Sequence, residues 1–338
     1  MSKPRRRLLV GALAAVLLAG CGTAATTSGT VPASVSPEEL AKVVLKVGDQ
    51  KGGAKSLLTA ANLLADAPYK IEWATFTSGP PLLEAASAGA VDVGGVGNTP
   101  PIFAAAANAK IAAVSVAKGN VESDAFLVPG DSPLKAVADL KGKKIAVAKG
   151  SSAHGQVLLT LRAAGLSTKD VNLTFLQPSD AYAAFTQKQV DAWAVWDPYT
   201  SQAELEAGAR VLATGEGTSN GYTFQVAGTA ALADGGKNAA IKDYLIRYAK
   251  AQVWADSHRE EWAQAWAKET GLKIEVARAA VDRGSDLPGA LDDTVVKSEQ
   301  DLADAFTEDK TLPGKVDFAK FTDTRFQADL KAARGGNS

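Results

Sequence analysis

From Val43 onward, short runs rich in β-branched residues alternate with alanine-rich runs whose apolar positions recur at helical spacing. Apolar runs of four to eight residues between turn signals read as strands, whereas a 3.6-residue period reads as a helix with one buried face. The pattern predicts strands near 44–48, 71–75, 91–95, 111–116, 125–128, 144–148, 171–175, 192–195 and 224–227, with helices filling most gaps. Such alternation is the mark of α/β layers built on largely parallel strands. After Thr229 the chain becomes nearly continuous helix, predicted over 239–256, 260–270, 274–282, 294–306 and 319–333.

Pro129-Gly130-Asp131-Ser132-Pro133 breaks the pattern with a cluster of turn formers. The blocks on either side have the same style, and each suffices for one lobe. The expected division is lobe 1 over 43–127 and 228–338, and lobe 2 over 128–227. The strands at 125–128 and 224–227 then serve as two crossings between lobes, and the C-terminal helices return to complete lobe 1.

The first residues follow a different rule. Lys3, Arg5, Arg6 and Arg7 precede an apolar stretch from Leu8 to Leu18, which ends at Leu18-Ala19-Gly20-Cys21. This is the layout of an export signal. The stretch is shorter than the roughly 20 apolar residues of a spanning helix. The small residues before Cys21, the chain's one cysteine, resemble a bacterial lipobox. The resemblance implies a signal peptide over 1–20, lipidation of Cys21 and a flexible tether over 21–42. The mature protein is then held at the outer face of the cell membrane, or in the periplasm.

Removal of residues 1–20 takes four basic side chains and moves the formal charge from −1 to about −5. Nucleic acid is an unfavourable partner for such a surface. Two histidines and one cysteine do not supply a zinc site, and no metal or cofactor is expected. A Ser-His-Asp hydrolase is compatible with the count, but no nucleophile elbow is expected.

Four predicted helix starts follow strands: Thr77-Ser78-Gly79-Pro80-Pro81, Gly97-Asn98-Thr99-Pro100-Pro101, Lys149 to His154, and Gln177-Pro178-Ser179-Asp180. Helix N-termini present free N–H groups and the positive end of the helix dipole, so they attract anions. Proline is at home in the first turn, where its missing N–H would be unpaired anyway. Each start can also be no more than a capped helix end. Parallel α/β sheets nevertheless gather such starts at a shared crevice. Two crevices facing each other would surround a small anion with neutral donors.

An ordered set of segments resembles the aliphatic sulfonate-binding receptors of ABC importers. The set comprises Gly79 to Ala85, Asp92-Val93-Gly94 leading to Gly97 through Pro101, Ser132-Pro133-Leu134 through Lys144, Gly150 through His154, Val190 through Trp193, and Trp196-Asp197-Pro198-Tyr199. The likeness runs from about Leu45 to Val226. It implies a type II periplasmic-binding-protein-like fold, two α/β lobes joined by two hinge crossings, and closure on the ligand. It also implies delivery to a membrane permease driven by an ATPase. Carried over, Gln50, Ser78, Gly79, Asn98, Thr99, Ser151, Ser152 and His154 are expected at the cleft, with Trp196 and Asp197 near the organic part of the ligand. Asn98 stands where sulfonate receptors often have Glu, which bears on the head-group preference.

Asp197 either caps a helix beside Pro198 or meets a cationic group, and the second role would favour an aminosulfonate such as taurine. His154 is either a cleft residue or a structural hydrogen-bonder. Trp254, His258, Trp262 and Trp266 recur every four residues as a helical stripe, expected to be core, and Arg283 is expected at the surface. A monomeric receptor for a small organic sulfonate is the leading expectation. Taurine, nitrate, a thiamine-pyrimidine precursor, or a ligand-sensing lipoprotein remain as alternatives. An enzyme on the same fold, like the thiamine-pyrimidine synthases, would need a cysteine-rich motif that the chain lacks.

Overall fold

The computed structural model describes residues 30–312 and 314–334. The expected signal peptide, Cys21 and the first part of the tether lie outside the described residues. The last part of that tether is folded: a one-turn helix, Pro37–Leu40, is closed by a capping box between Ser36 and Glu39. Val35 and Val43 then pack so closely on Gly235 and Gly236 that Cβ atoms there would lie 3.2 and 2.8 Å from them. Residues 33–43 thus belong to the lobe rather than to a free linker.

Eleven strands are described: β1 (Val44–Gln50), β2 (Lys70–Phe76), β3 (Val93–Gly97), β4 (Ile111–Lys118), β5 (Ala125–Pro129), β6 (Lys144–Val147), β7 (Asn172–Phe175), β8 (Ala192–Val195), β9 (Ala209–Thr214), β10 (Tyr222–Gly228) and β11 (Leu287–Gly289). They form two sheets, ordered β11-β4-β10-β3-β1-β2 and β7-β6-β8-β5-β9. The first is parallel across β1, β2 and β3, with β10 antiparallel to β3 and β4. The second is parallel across β6, β7 and β8, with β5 antiparallel to β8 and β9. Helices cover both faces of each sheet, giving the two α/β lobes.

Strand pairing relocates the crossings. β5 lies wholly in the second sheet and β10 wholly in the first, so neither spans the lobes. The chain crosses at 119–124 and 215–221 instead, where hydrophobic patterning stops. The two crossings run side by side, with Gly119 N donating to Gly221 O at 2.9 Å and Gly215 N to Val121 O at 3.0 Å. Gly217 and Gly221 take φ of 71° and 70° there, a conformation that favours glycine.

Lobe 1 buries Leu82, Ile102, Leu302 and Phe306 on one face of its sheet and Leu45, Leu58, Ile241 and Tyr244 on the other. The C-terminal helices Gly235–Ser257 and Asp293–Glu308 supply much of both layers. Lobe 2 buries Phe126, Ile145 and Val157 on one face and Phe185 and Trp193 on the other. A helix-to-sheet approach at glycine sets the first crevice: Leu82 of the helix Gly79–Ser87 lies against Gly48 and Gly94, where a Cβ would meet it at 2.9 and 2.7 Å.

The expected helix over 319–333 is two pieces, a 3₁₀ turn Phe318–Phe321 and a helix Gln327–Ala333. Between them Asp323 N donates to Ala113 O on β4, and the Asp323 carboxylate binds Arg325 in a buried ion pair. Those contacts hold the chain extended.

Candidate ligand-binding cleft

The predicted helix starts form as expected: Gly79–Ser87 after β2, Thr99–Ala106 after β3, Ser152–Ala163 after β6 and Pro178–Thr186 after β7. At none of the four does the N-cap side chain accept from a backbone N–H of its own helix. Those side chains are engaged elsewhere. Ser78 Oγ donates to Gln177 Oε1 of the opposite lobe at 2.9 Å, as does Thr77 Oγ1 at 3.0 Å. Asn98 Nδ2 donates to Asn220 Oδ1 at 2.8 Å, and Ser151 Oγ donates to Ala148 O at 2.7 Å. Elsewhere in lobe 1, Asp234 and Asp292 do cap their helices. Side-chain caps are also missing at other helices, among them Arg259–Thr270 and Ile274–Asp282; what sets the starts at Gly79, Thr99 and Ser152 apart is that they meet at one place, which the start at Pro178 does not line.

A cleft of about 340 Å³ lies there, lined from both lobes. Gln50, Gly79, Asn98, Ser151, Ser152, Trp196 and Asp197 line it. Gln50 is held with its Nε2 donating to Gly95 O at 3.0 Å. Ser152 of lobe 2 sits over Gly97 of lobe 1, so close that a Cβ at Gly97 would be 2.9 Å from Ser152 Cβ. Ser78, Thr99 and His154 stand behind this wall rather than in it. Ser78 and Thr99 are fully buried, and Thr99 Oγ1 donates to Asn98 Oδ1 at 2.9 Å. His154 accepts from Gly150 N at 3.1 Å through Nδ1 and packs among Phe103, Phe175 and Phe306. Burial lowers its pKa to about 4, so it is a neutral structural acceptor that fixes the Gly150–Ser151 turn.

Both oxygens of Asp197 are taken up inside the protein: it bonds the first turn of the helix Tyr199–Ala207, and the cation it meets is Arg283 rather than a group on a ligand. Its Oδ1 accepts from Ser201 N and Oγ at 2.9 and 2.7 Å, and Arg283 Nη1 of lobe 1 reaches Oδ2 at 2.9 Å. Arg283 also pairs with Glu204. It is 19% exposed and bridges the lobes, instead of standing free at the surface.

The tryptophan stripe also divides. Trp254 and His258 stack away from the cleft, with His258 Nδ1 2.9 Å from Trp254 O. Trp262 and Trp266 stack at 5.3 Å and line the cleft.

Several cleft residues carried no signal in the sequence pattern: Asp49, Asp124, Gln225, Tyr248 and Asp286. Burial raises Asp49 to about 6 against the pull of two bonds from Ala54 N and Lys55 N. Burial, with the charges of Asp286 and Asp197 nearby, raises Asp124 to about 7, and burial also raises Asp286. Beneath Asn98, Asn220 donates to Glu299 Oε1 at 2.7 Å, and burial pushes that carboxyl up to about 8.

Gly217-Thr218-Ser219-Asn220-Gly221 does have the Gly-x-Ser-x-Gly spacing of a hydrolase elbow, contrary to expectation. It lies in the second crossing, between two strands, and not at the strand-to-helix turn that such an elbow requires. Among the described residues no cluster of His, Cys, Asp or Glu is placed to hold a metal ion.

Two α/β lobes, paired crossings and a cleft walled by uncapped helix starts define a two-lobed solute receptor. The family described as "ABC transporter, phosphonate, periplasmic substrate-binding protein" matches residues 59–272. The chain belongs to that family of extracytoplasmic transport receptors. The alkanesulfonate-binding protein SsuA from Xanthomonas axonopodis pv. citri, solved bound to MOPS, is 35% identical; the match covers 82% of this chain and 97% of that one, with a TM-score of 0.76. The periplasmic aliphatic sulphonate binding protein SsuA from Escherichia coli is 38% identical over 82% of this chain and 91% of its own, with a TM-score of 0.72. A taurine-binding periplasmic protein of Escherichia coli K12 is 30% identical over 146 residues, 43% of this chain and 44% of its own.

Proposed function

We propose that the chain is the receptor of an ABC importer for small organosulfonates, held at the outer membrane face by a lipid on Cys21. The observation that carries the ligand class is the set of helix starts without side-chain caps at one cleft. Pro80, Pro81, Pro100 and Pro101 carry no N–H, so the first-turn donors are the amides of Gly79, Thr99, Ser152 and Ala153, in a positive field with no competing first-turn carboxylate. A hydrogen bond to a charged group is worth about 1.5–3 kcal/mol, so a few of them offset the desolvation of a sulfonate. Gly79, Asn98, Ser151 and Ser152 would face the head group, with Gln50 beside it. Ser78, Thr99 and His154 would support that wall from behind. The sulfonate-binding relatives, similar over most of their length, support the same choice.

The receptor would work as a monomer, pass its ligand to a permease powered by an ATPase, and perform no chemistry on it. Titration calorimetry with alkanesulfonates, sulfate and nitrate tests the ligand class. Heat with a sulfonate and little with nitrate is expected; heat only with an unrelated solute sinks the assignment. Mass spectrometry of the mature N-terminus tests the anchor, which predicts a diacylglycerol-modified Cys21.

A further inference from the structure

His154 belongs to lobe 2, yet two of the three aromatic rings around it belong to lobe 1. It lies in the first turn of the helix Ser152–Ala163 and is 1% exposed. Phe175 of its own lobe packs edge-on with 5.3 Å between centroids, and Phe103 and Phe306 of lobe 1 complete the enclosure at 5.8 and 5.3 Å. Phe103 comes from the helix Thr99–Ala106 and Phe306 from the helix Asp293–Glu308. Those two walls are in place only while the lobes meet, so the imidazole is dry in the closed form and wetted when the lobes part.

The hydrogen bond that the ring makes fixes its protonation state. Gly150 N donates to Nδ1 at 3.1 Å, which requires a bare lone pair on that nitrogen. A proton added there would set one N–H against another and release the turn that leads into Ser151 and Ser152, two residues of the cleft wall. Two charges act on the ring: Asp309, just after the helix Asp293–Glu308, favours its protonation, and Lys149, in the turn after β6, opposes it. Lys149 Nζ also sits 5.7 Å over the Phe175 ring. Asp309 is shared with the hydroxyls of Thr168 and Thr311 at 2.8 and 2.6 Å, Arg162 and Glu308 pair with each other, and the helix Thr99–Ala106 carries no charged side chain. Desolvation outweighs Asp309 and brings the enclosed ring to about 4, whereas a wetted ring returns towards its ordinary 6.5.

Deepening the receptor reading above, on which it rests, we propose that His154 is a positioning residue that makes closure conditional on a neutral imidazole: acid charges the ring, the Gly150 bond is lost, and the lobes part and let the solute go. The closed form is the one whose proton affinity is depressed, so its advantage is full above pH 6.5 and is lost as pH falls through 4. Asp49 and Asp124, raised to about 6 and about 7, gain protons over the same range. Their effect has the opposite sign, because shedding negative charge beside an anion favours its binding.

The test is calorimetry with ethanesulfonate and butanesulfonate at pH 7.5 and pH 5, on the full chain and on His154→Asn, whose side-chain oxygen can accept from Gly150 N but does not titrate. The ratio of Kd at pH 5 to Kd at pH 7.5 should be about 20-fold larger for the parent than for the variant, whatever the variant's affinity at pH 7.5. Ratios within threefold of each other overturn the inference and leave the sulfonate reading standing. No heat with either sulfonate at pH 7.5 overturns both. The parent alone decides the matter where the variant fails to fold: the His154 imidazole signal, one of two in the chain, should titrate at lower pH with saturating ethanesulfonate than without it, and an unmoved titration overturns the inference.

Discussion

Arg283→Met should weaken ligand binding without disturbing either lobe. Arg283 follows a helix of lobe 1 and reaches Asp197 of lobe 2 with Nη1 at 3.1 and 2.9 Å from the two carboxylate oxygens, while also contacting Ser201 and Glu204. The pair is 19% and 7% exposed, between a surface ion pair worth about 0–1 kcal/mol and a buried one whose breakage costs about 3–5 kcal/mol. A loss of about 1.5–3 kcal/mol, the value of charged hydrogen bonds, is the reasonable expectation. When the lobes part, both groups return to water, so the loss falls on the closed form alone. Ligand binding draws on that form, and Kd should rise about 10- to 150-fold. Calorimetry measures the change, and X-ray scattering should show less compaction at a given ligand concentration. Lys273→Met serves as the control: its 3.4 Å pair with Glu206 also links the lobes, but Lys273 is 70% exposed, and less than a threefold effect is expected. A Kd for Arg283→Met within twofold of the parent, with unchanged scattering, refutes the reasoning.

Gly97→Ala should impair closure by steric contact, because the new Cβ would lie 2.9 Å from Ser152 Cβ; overpacking costs about 1–3 kcal/mol, read as weaker binding in calorimetry. Glu299 holds its proton to about pH 8 against an ordinary value of 4.5, so its contribution to stability is full below pH 4.5 and lost as pH rises through 8. Glu299→Gln should therefore raise the melting temperature more at pH 8.5 than at pH 5, and equal shifts would contradict the assignment. His154 titrates near 4 instead of 6.5, so its contribution is present above pH 6.5 and lost as pH falls through 4. His154→Leu should remove that acid-side loss in thermal melts, at a cost of about 1–3 kcal/mol near neutral pH from the unpaired Gly150 amide.

Most strands and the four helix starts were legible because each is decided locally, by apolar period and by proline in the first turn. β9 was missed because all six of its residues are half-buried, which leaves no apolar alternation to read. β11, only Leu287–Gly289, is too short to show a period. The crossings were misplaced for the converse reason: β5 and β10 are apolar strands like their neighbours, and only pairing reveals their sheets. Within the cleft, Ser152 and Asn98 could be carried over by motif. Ser78 and Thr99 have the right neighbours but point into protein, which depends on packing between lobes. Asp124 and Asp286 are 162 positions apart in the chain and come together only through the fold, so no spacing rule could have found them.

Asn220 belongs to the second crossing, yet its side chain accepts from Asn98 in the cleft wall and donates to Glu299 beneath it. The pivot and the pocket floor therefore own one amide in common. Asn98, Ser298 and Glu299 all belong to lobe 1, so that amide fastens the lobe 1 end of the second crossing to the pocket floor. The bend that parts the halves then falls on the residues before Asn220, and the floor travels with lobe 1 unchanged.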